Sequence, residues 1–218
     1  KAIEINPKDA DSYYNRGFSK DKLQDYQGAI ADYTIAIEIN PNNKKAYCNR
    51  GILKAKLQDY QGSIADFNLA IKINPKDADS YYNRGNSKAD IKDDQGAIAD
   101  YTMAIGINPN NMKAYCNRGI LKVGLNDYQG AFADFNTAIK LDPKNAESYY
   151  SRGVLKAALK DYQGSIADYS KAIEINPKYA EAYSNRGSSK YILQDDQGAI
   201  ADYSKAIEIN SKNAEAYF

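Results

Sequence analysis

A spacing of 34 residues governs this chain more tightly than any other property. Its prolines stand at Pro7, Pro41, Pro75, Pro109, Pro143 and Pro177. Its arginines stand at Arg16, Arg50, Arg84, Arg118, Arg152 and Arg186, each followed by glycine. A second glycine keeps step at Gly28, Gly62, Gly96, Gly130, Gly164 and Gly198. Three residue types locked in one register define a tandem repeat. A longer period lies over it: AYCNRGILK occupies both 46–54 and 114–122, and KDADSYYNRG both 8–17 and 76–85. Duplication of a two-repeat block accounts for those identities without any catalytic requirement.

Each unit carries two apolar stripes at helical spacing. In residues 8–41 the first runs through Ala10, Tyr13, Tyr14, Gly17 and Leu23, the second through Ala29, Ile30, Tyr33, Ala36 and Ile37. Gln24-Asp25-Tyr26 supplies the turn between them. Asn40-Pro41 ends the second stripe, because proline pushes the residue before it out of the α region. Two helices per repeat make an αα-hairpin, too small to bury both apolar faces alone. Stacked hairpins bury them against one another, so the predicted fold is an all-α solenoid.

Composition closes several other routes. Lys plus Arg total 29 against 28 Asp plus Glu, a balance that argues against the clustered cations of a nucleic-acid binder. No run of about 18 apolar residues offers a membrane span. Histidine is absent, and with it the commonest general base and metal ligand. No phosphate-binding glycine loop or CxxC spacing appears, and the acidic residues are spread along the chain, so neither cofactor nor metal is expected. Cys48 and Cys116 take the same place in the two copies of the block and are expected to be unpaired. That fits a reducing, cytoplasmic setting.

The unit resembles the tetratricopeptide repeat. With Ala10 as position 1, the aromatic of position 4, Gly of 8, small residues of 20 and 27, aromatic of 24 and Pro of 32 are Tyr13, Gly17, Ala29, Ala36, Tyr33 and Pro41. The next units match in the same slots, as with Tyr47, Gly51, Ser63, Ala70, Phe67 and Pro75; only the last proline is replaced, by Ser211. The resemblance implies a right-handed superhelix of helix-turn-helix repeats, non-enzymatic, with the first helices lining a concave wall that binds protein. Six repeats are expected, at 8–41, 42–75, 76–109, 110–143, 144–177 and 178–211. Residues 1–7, identical to 171–177, read as the end of a preceding second helix, and 212–218 as the start of a following first helix. The chain then reads as part of a longer array, with Ile3, Ile5, Tyr217 and Phe218 available for end-to-end self-association.

Two slots depart from the family pattern. Position 7 is always Arg and position 11 always Lys (Lys20, Lys54, Lys88, Lys122, Lys156 and Lys190), while position 23 is always Asp. The expected structural ion pairs are Arg16–Asp32, Arg50–Asp66, Arg84–Asp100, Arg118–Asp134, Arg152–Asp168 and Arg186–Asp202. The alternative is that both charges reach solvent and never meet.

On the implied concave wall, position 6 reads Asn15, Asn49, Asn83, Asn117, Ser151 and Asn185. A primary amide both donates and accepts, so an asparagine ladder can hold the backbone of an extended peptide, as in several members of the family. The bland alternative is that these amides are solvated or bond within the array. Position 5 offers Tyr14, Tyr82 and Tyr150, alternating with the cysteines, and position 9 offers Ile52 and Ile120 as apolar contacts. Tyrosine there can equally be packing beneath the neighbouring repeat. Position 2 stripes the wall with charge, including Lys45 and Lys113. A dicarboxylate clamp of the family's chaperone-tail type is not expected, because no Lys occupies position 5 and no Arg position 6. The expected partner is a protein segment of unspecified identity; a self-assembly module, or an interaction domain of a larger protein, is the alternative.

Overall fold

The computed structural model describes residues 8–215, with side chains through Ser211. Ile3 and Ile5, the helix expected within 1–7, and Tyr217 and Phe218 lie outside the described residues. Twelve α-helices and no strand occur among the described residues. The chain divides after Pro109 into two compact units. The first holds α1 (Ala10–Lys22), α2 (Tyr26–Ile39), α3 (Lys44–Lys56), α4 (Tyr60–Ile73), α5 (Ala78–Asp90) and α6 (Asp94–Ile107). The second holds α7 (Met112–Gly124), α8 (Tyr128–Leu141), α9 (Ala146–Ala158), α10 (Tyr162–Ile175), α11 (Ala180–Ile192) and α12 (Asp196–Glu215). Each unit is three antiparallel hairpins stacked in sequence order.

One three-residue joint builds every hairpin. In the first, Leu23 caps α1 and Gln24 takes the left-handed conformation at φ 63°. The Gln24 N–H then donates to Asp21 O and the Asp25 N–H to Lys20 O, both at 2.9 Å. This is a Schellman closure of the first helix. Asp25 next caps the second helix, its carboxylate accepting from the Gly28 N–H at 3.0 Å. The recurring glycine follows from that cap, because a Cβ at Gly28 would overlap the Asp25 carboxylate.

Between hairpins the proline works through its neighbour. Asn40 is held extended at φ −128°, ψ 91°, and Asn43 caps the following helix by accepting from the Ala46 N–H at 3.1 Å. Ser211 exerts no such constraint, and α12 runs on through it to Glu215. No break separates 211 from 212, where a new first helix was expected to begin.

Close packing of the two helices centres on position 8 against position 24. The Tyr33, Phe67, Tyr101, Phe135 and Tyr169 rings are essentially fully buried. A Cβ on Gly85 would stand 2.8 Å from the Tyr101 ring, closer than a methyl group tolerates. The glycine after each arginine thus lets the paired helices touch.

Candidate functional site

The charged slots form a repeating bracket. In all six repeats the arginine Nη2 stands 2.5–2.6 Å from the position-23 aspartate. Its Nε donates to the second oxygen, so the contact is two-pronged. The position-11 lysine closes on that same oxygen at 2.8–2.9 Å. Sequence reasoning noted this lysine as a departure and gave it no partner; its strict recurrence beside the aspartate was the available signal. Each guanidinium also lies 5.3–5.7 Å over the position-4 tyrosine ring. In four of the repeats the third edge reaches the preceding hairpin: Arg50 donates to Thr34 at 3.0 Å, Arg84 to Asn68 at 2.6 Å, Arg152 to Asn136 at 2.7 Å and Arg186 to Ser170 at 2.9 Å. One side chain therefore ties both helices of its own repeat and the repeat before it.

Burial by itself would raise the Asp32 carboxyl, but hydrogen bonds from Arg16 and Lys20 outweigh it and hold the group below the usual carboxylate range. Asp202 is held down in the same way by Arg186 and Lys190. Both carboxylates are buried and committed to structure by their two cations.

The expected wall residues gather on the first helices. In the first unit Tyr14 of α1, Lys45, Asn49 and Ile52 of α3, and Asn83 of α5 border a single cleft of about 270 Å³. Cys48, Asp79 and Ser80 join them, and Lys44 and Asp77, which also line it, pair at 2.7 Å. Ile52 is 45% exposed there. Asn15 is exposed on α1. In the second unit Lys113 and Ile120 are exposed, and Asn117, Tyr150 and Asn185 are half-buried on the first helices; Tyr82, in the first unit, is half-buried as well.

The amides are not equivalent. Asn49 Nδ2 donates to Tyr14 Oη at 3.2 Å and to Tyr33 Oη at 3.4 Å. Asn185 donates to Tyr150 Oη at 3.0 Å. Asn83 donates instead to the Asp79 carbonyl of its own helix at 2.9 Å. Tyr33 is fully buried, and burial pushes its hydroxyl pKa up to about 12, with Asn49 lowering it in part; it stays neutral at any ordinary pH. The thiols are quiet too. Burial raises Cys48 and Cys116, despite hydrogen bonds from Ser80 and Ser148 that work the other way, and both are free.

A second, wider cleft of about 520 Å³ lies beside Pro41, Tyr47, Leu69 and Ile73. It holds no ladder residue, and sequence reasoning did not single it out. Among the described residues no group of His, Cys, Asp or Glu is arranged to hold a metal ion. No helix among them is long and apolar enough to cross a membrane.

Stacked hairpins with a polar, amide-bearing face on their first helices define a helical-repeat scaffold of the kind that binds other proteins. The sequence matches the family described as TPR repeat over residues 54–91, 122–160 and 155–194. It matches the tetratricopeptide repeat over 10–43 and again over 78–111 and 180–213. The chain belongs to the tetratricopeptide-repeat family, and its fold is an all-α repeat solenoid.

Solved structures agree on the fold. YrrB, described as a TPR protein with an unusual peptide-binding site, is 24% identical with a TM-score of 0.71, covering 83% of this chain and 93% of its own. A tetratricopeptide repeat protein from Parabacteroides merdae is 19% identical with a TM-score of 0.80, covering 91% of this chain and 79% of its own. PilF of Pseudomonas aeruginosa is 15% identical with a TM-score of 0.77, covering 94% and 97%. At these identities the likeness is one of fold. No curated protein matches the chain.

Proposed function

We propose that this chain is a non-enzymatic scaffold that holds an extended or helical protein segment along its first helices. The ladder Asn15, Asn49, Asn83, Asn117 and Asn185 bonds the segment's backbone. Tyr14, Tyr82, Tyr150, Ile52 and Ile120 supply contact area, and Lys45 and Lys113 supply charge. The observation that carries this reading is the convergence of Tyr14, Lys45, Asn49, Ile52 and Asn83 on one cleft. A backbone-reading groove accepts many side-chain sequences, and because the array is ordered beforehand, chiefly the ligand loses conformational freedom on binding. YrrB, a protein of like fold described as peptide-binding, is consistent with this use. The ion-pair brackets Arg16–Asp32, Arg50–Asp66, Arg84–Asp100, Arg118–Asp134, Arg152–Asp168 and Arg186–Asp202 serve by holding the wall rigid. The test is peptide selection from a random library against the wild type and an Asn49→Ala, Asn83→Ala double variant. Selection by the wild type alone supports the ladder; equal capture by both removes it.

A further inference from the structure

The proposed ladder contains two chemically different kinds of rung. A primary amide has two N–H donors and one acceptor oxygen. At Asn49 both donors are engaged by phenolic oxygens, Tyr14 Oη at 3.2 Å and Tyr33 Oη at 3.4 Å. Only Oδ1 is left to meet a ligand, and it can only accept. A phenol that accepts a hydrogen bond still has its own O–H to give. Tyr33 is fully buried and cannot give it to a ligand. Tyr14 is half-buried and lines the cleft beside Asn49, with its ring fixed 5.7 Å from that of Tyr33.

The arrangement recurs in the second unit, where Asn185 donates to Tyr150 Oη at 3.0 Å and the Tyr150 and Tyr169 rings stand 5.8 Å apart. Asn185 also reaches the Tyr169 hydroxyl, where its hydrogen bond lowers a pKa that burial raises. Asn83 differs because the residue at position 5 one repeat earlier is Cys48. With no phenol there, Asn83 turns to its own helix at Asp79 O and keeps a second N–H to offer. Whether position 5 one repeat earlier is tyrosine or cysteine thus decides which kind of rung the amide makes at Asn49, Asn83 and Asn185.

We propose that Tyr14 and Asn49 act together as one composite rung, the asparagine oxygen accepting a backbone N–H of an extended polypeptide while the Tyr14 hydroxyl donates to a backbone carbonyl of the same segment. Tyr150 and Asn185 form its counterpart in the second unit. This rests on the reading of the ladder given above and adds to it. Tyr14 becomes a recognition residue in addition to a packing one, and the ligand residue that presents its N–H to Asn49 cannot be proline.

The test uses the tightest dodecamer selected from a random displayed library on the full chain. Its affinity is measured for the wild type and for Tyr14→Phe, Tyr150→Phe and Asn49→Ala. The same peptide is then made with each backbone amide in turn replaced by an ester, which deletes one N–H. Tyr14→Phe keeps the ring and is expected to weaken binding about 3- to 10-fold, the worth of one net hydrogen bond, with an unchanged melting temperature. One ester is expected to lose a similar factor against the wild type and nothing further against Asn49→Ala. Tyr150→Phe supplies the same comparison in the second unit if Tyr14→Phe melts early. If both phenylalanine variants bind like the wild type while Asn49→Ala weakens, the composite is wrong and the ladder survives. If no substitution and no ester matters, the ladder falls and the composite with it.

Discussion

Asp100 sits almost wholly out of water with a guanidinium on one side and an ammonium on the other. A carboxylate so placed is stable only while both cations stay. Removing one partner of a buried pair leaves an uncompensated charge, so Arg84→Ala is expected to cost about 3 kcal/mol, read by urea denaturation. Combined with Asp100→Ala it should show strong coupling in a double-mutant cycle. Arg16 is 46% exposed against 17% for Arg84, and Arg16→Ala should cost nearer about 1 kcal/mol. Glycine gives a second contrast at this scale. Gly85→Ala pushes a methyl into the Tyr101 ring and is expected to destabilise by about 1–3 kcal/mol. Gly106→Ala meets nothing within 4 Å and should stabilise by about 0.5 kcal/mol through helix propensity, as thermal melts of the two variants would show. The arginine, the aspartate and the glycine were all legible as recurring letters. The lysine's partner was not, because periodicity locates a residue without saying which of several neighbours it touches.

The hairpin owes its shape to a joint of three residues, one of which is forced into a conformation that L-residues avoid. Gln58 occupies that place at φ 64°, with its side chain exposed. Glycine has no Cβ penalty there, so Gln58→Gly is expected to raise stability by about 0.5–1 kcal/mol, a shift of about 2–4 °C in the melting midpoint. A fall would mean that chain entropy outweighs the relief of strain. The turn was visible in the sequence as Gln-Asp between two stripes, but its left-handed residue was hidden, since no glycine or asparagine marks the place in most repeats. Helix ends followed their letters before Pro41, Pro75, Pro109, Pro143 and Pro177. Where Ser211 replaces it the helix carries on to Glu215, so the stop belongs to proline's constraint on its neighbour and not to the repeat length.

At the scale of the whole molecule, the first and last brackets make stability depend on pH in one direction. The folded pKa of Asp32 and of Asp202 lies below the unfolded value of about 3.9. Their stabilisation is therefore fully present above that value and is lost as pH falls through the lower folded pKa. The melting temperature should hold from pH 7 to about pH 5 and drop steeply below about pH 4, and an Asp32→Asn variant should show a shallower drop. The all-α repeat fold was readable from spacing, whereas the wall was readable only as a list of positions. Its chemistry depends on which amide hydrogen meets which phenol, and that is settled by side-chain geometry between repeats 35 residues apart in sequence. The most direct measurement of the central claim is an amide and methyl NMR footprint of a selected peptide titrated into the labelled protein. Shifts that include Tyr14, Lys45, Asn49, Ile52 and Asn83 and leave Tyr47, Leu69 and Ile73 unmoved are the result expected of a groove on the first helices. A footprint on Tyr47, Leu69 and Ile73, with the asparagine side-chain signals unmoved, would contradict it.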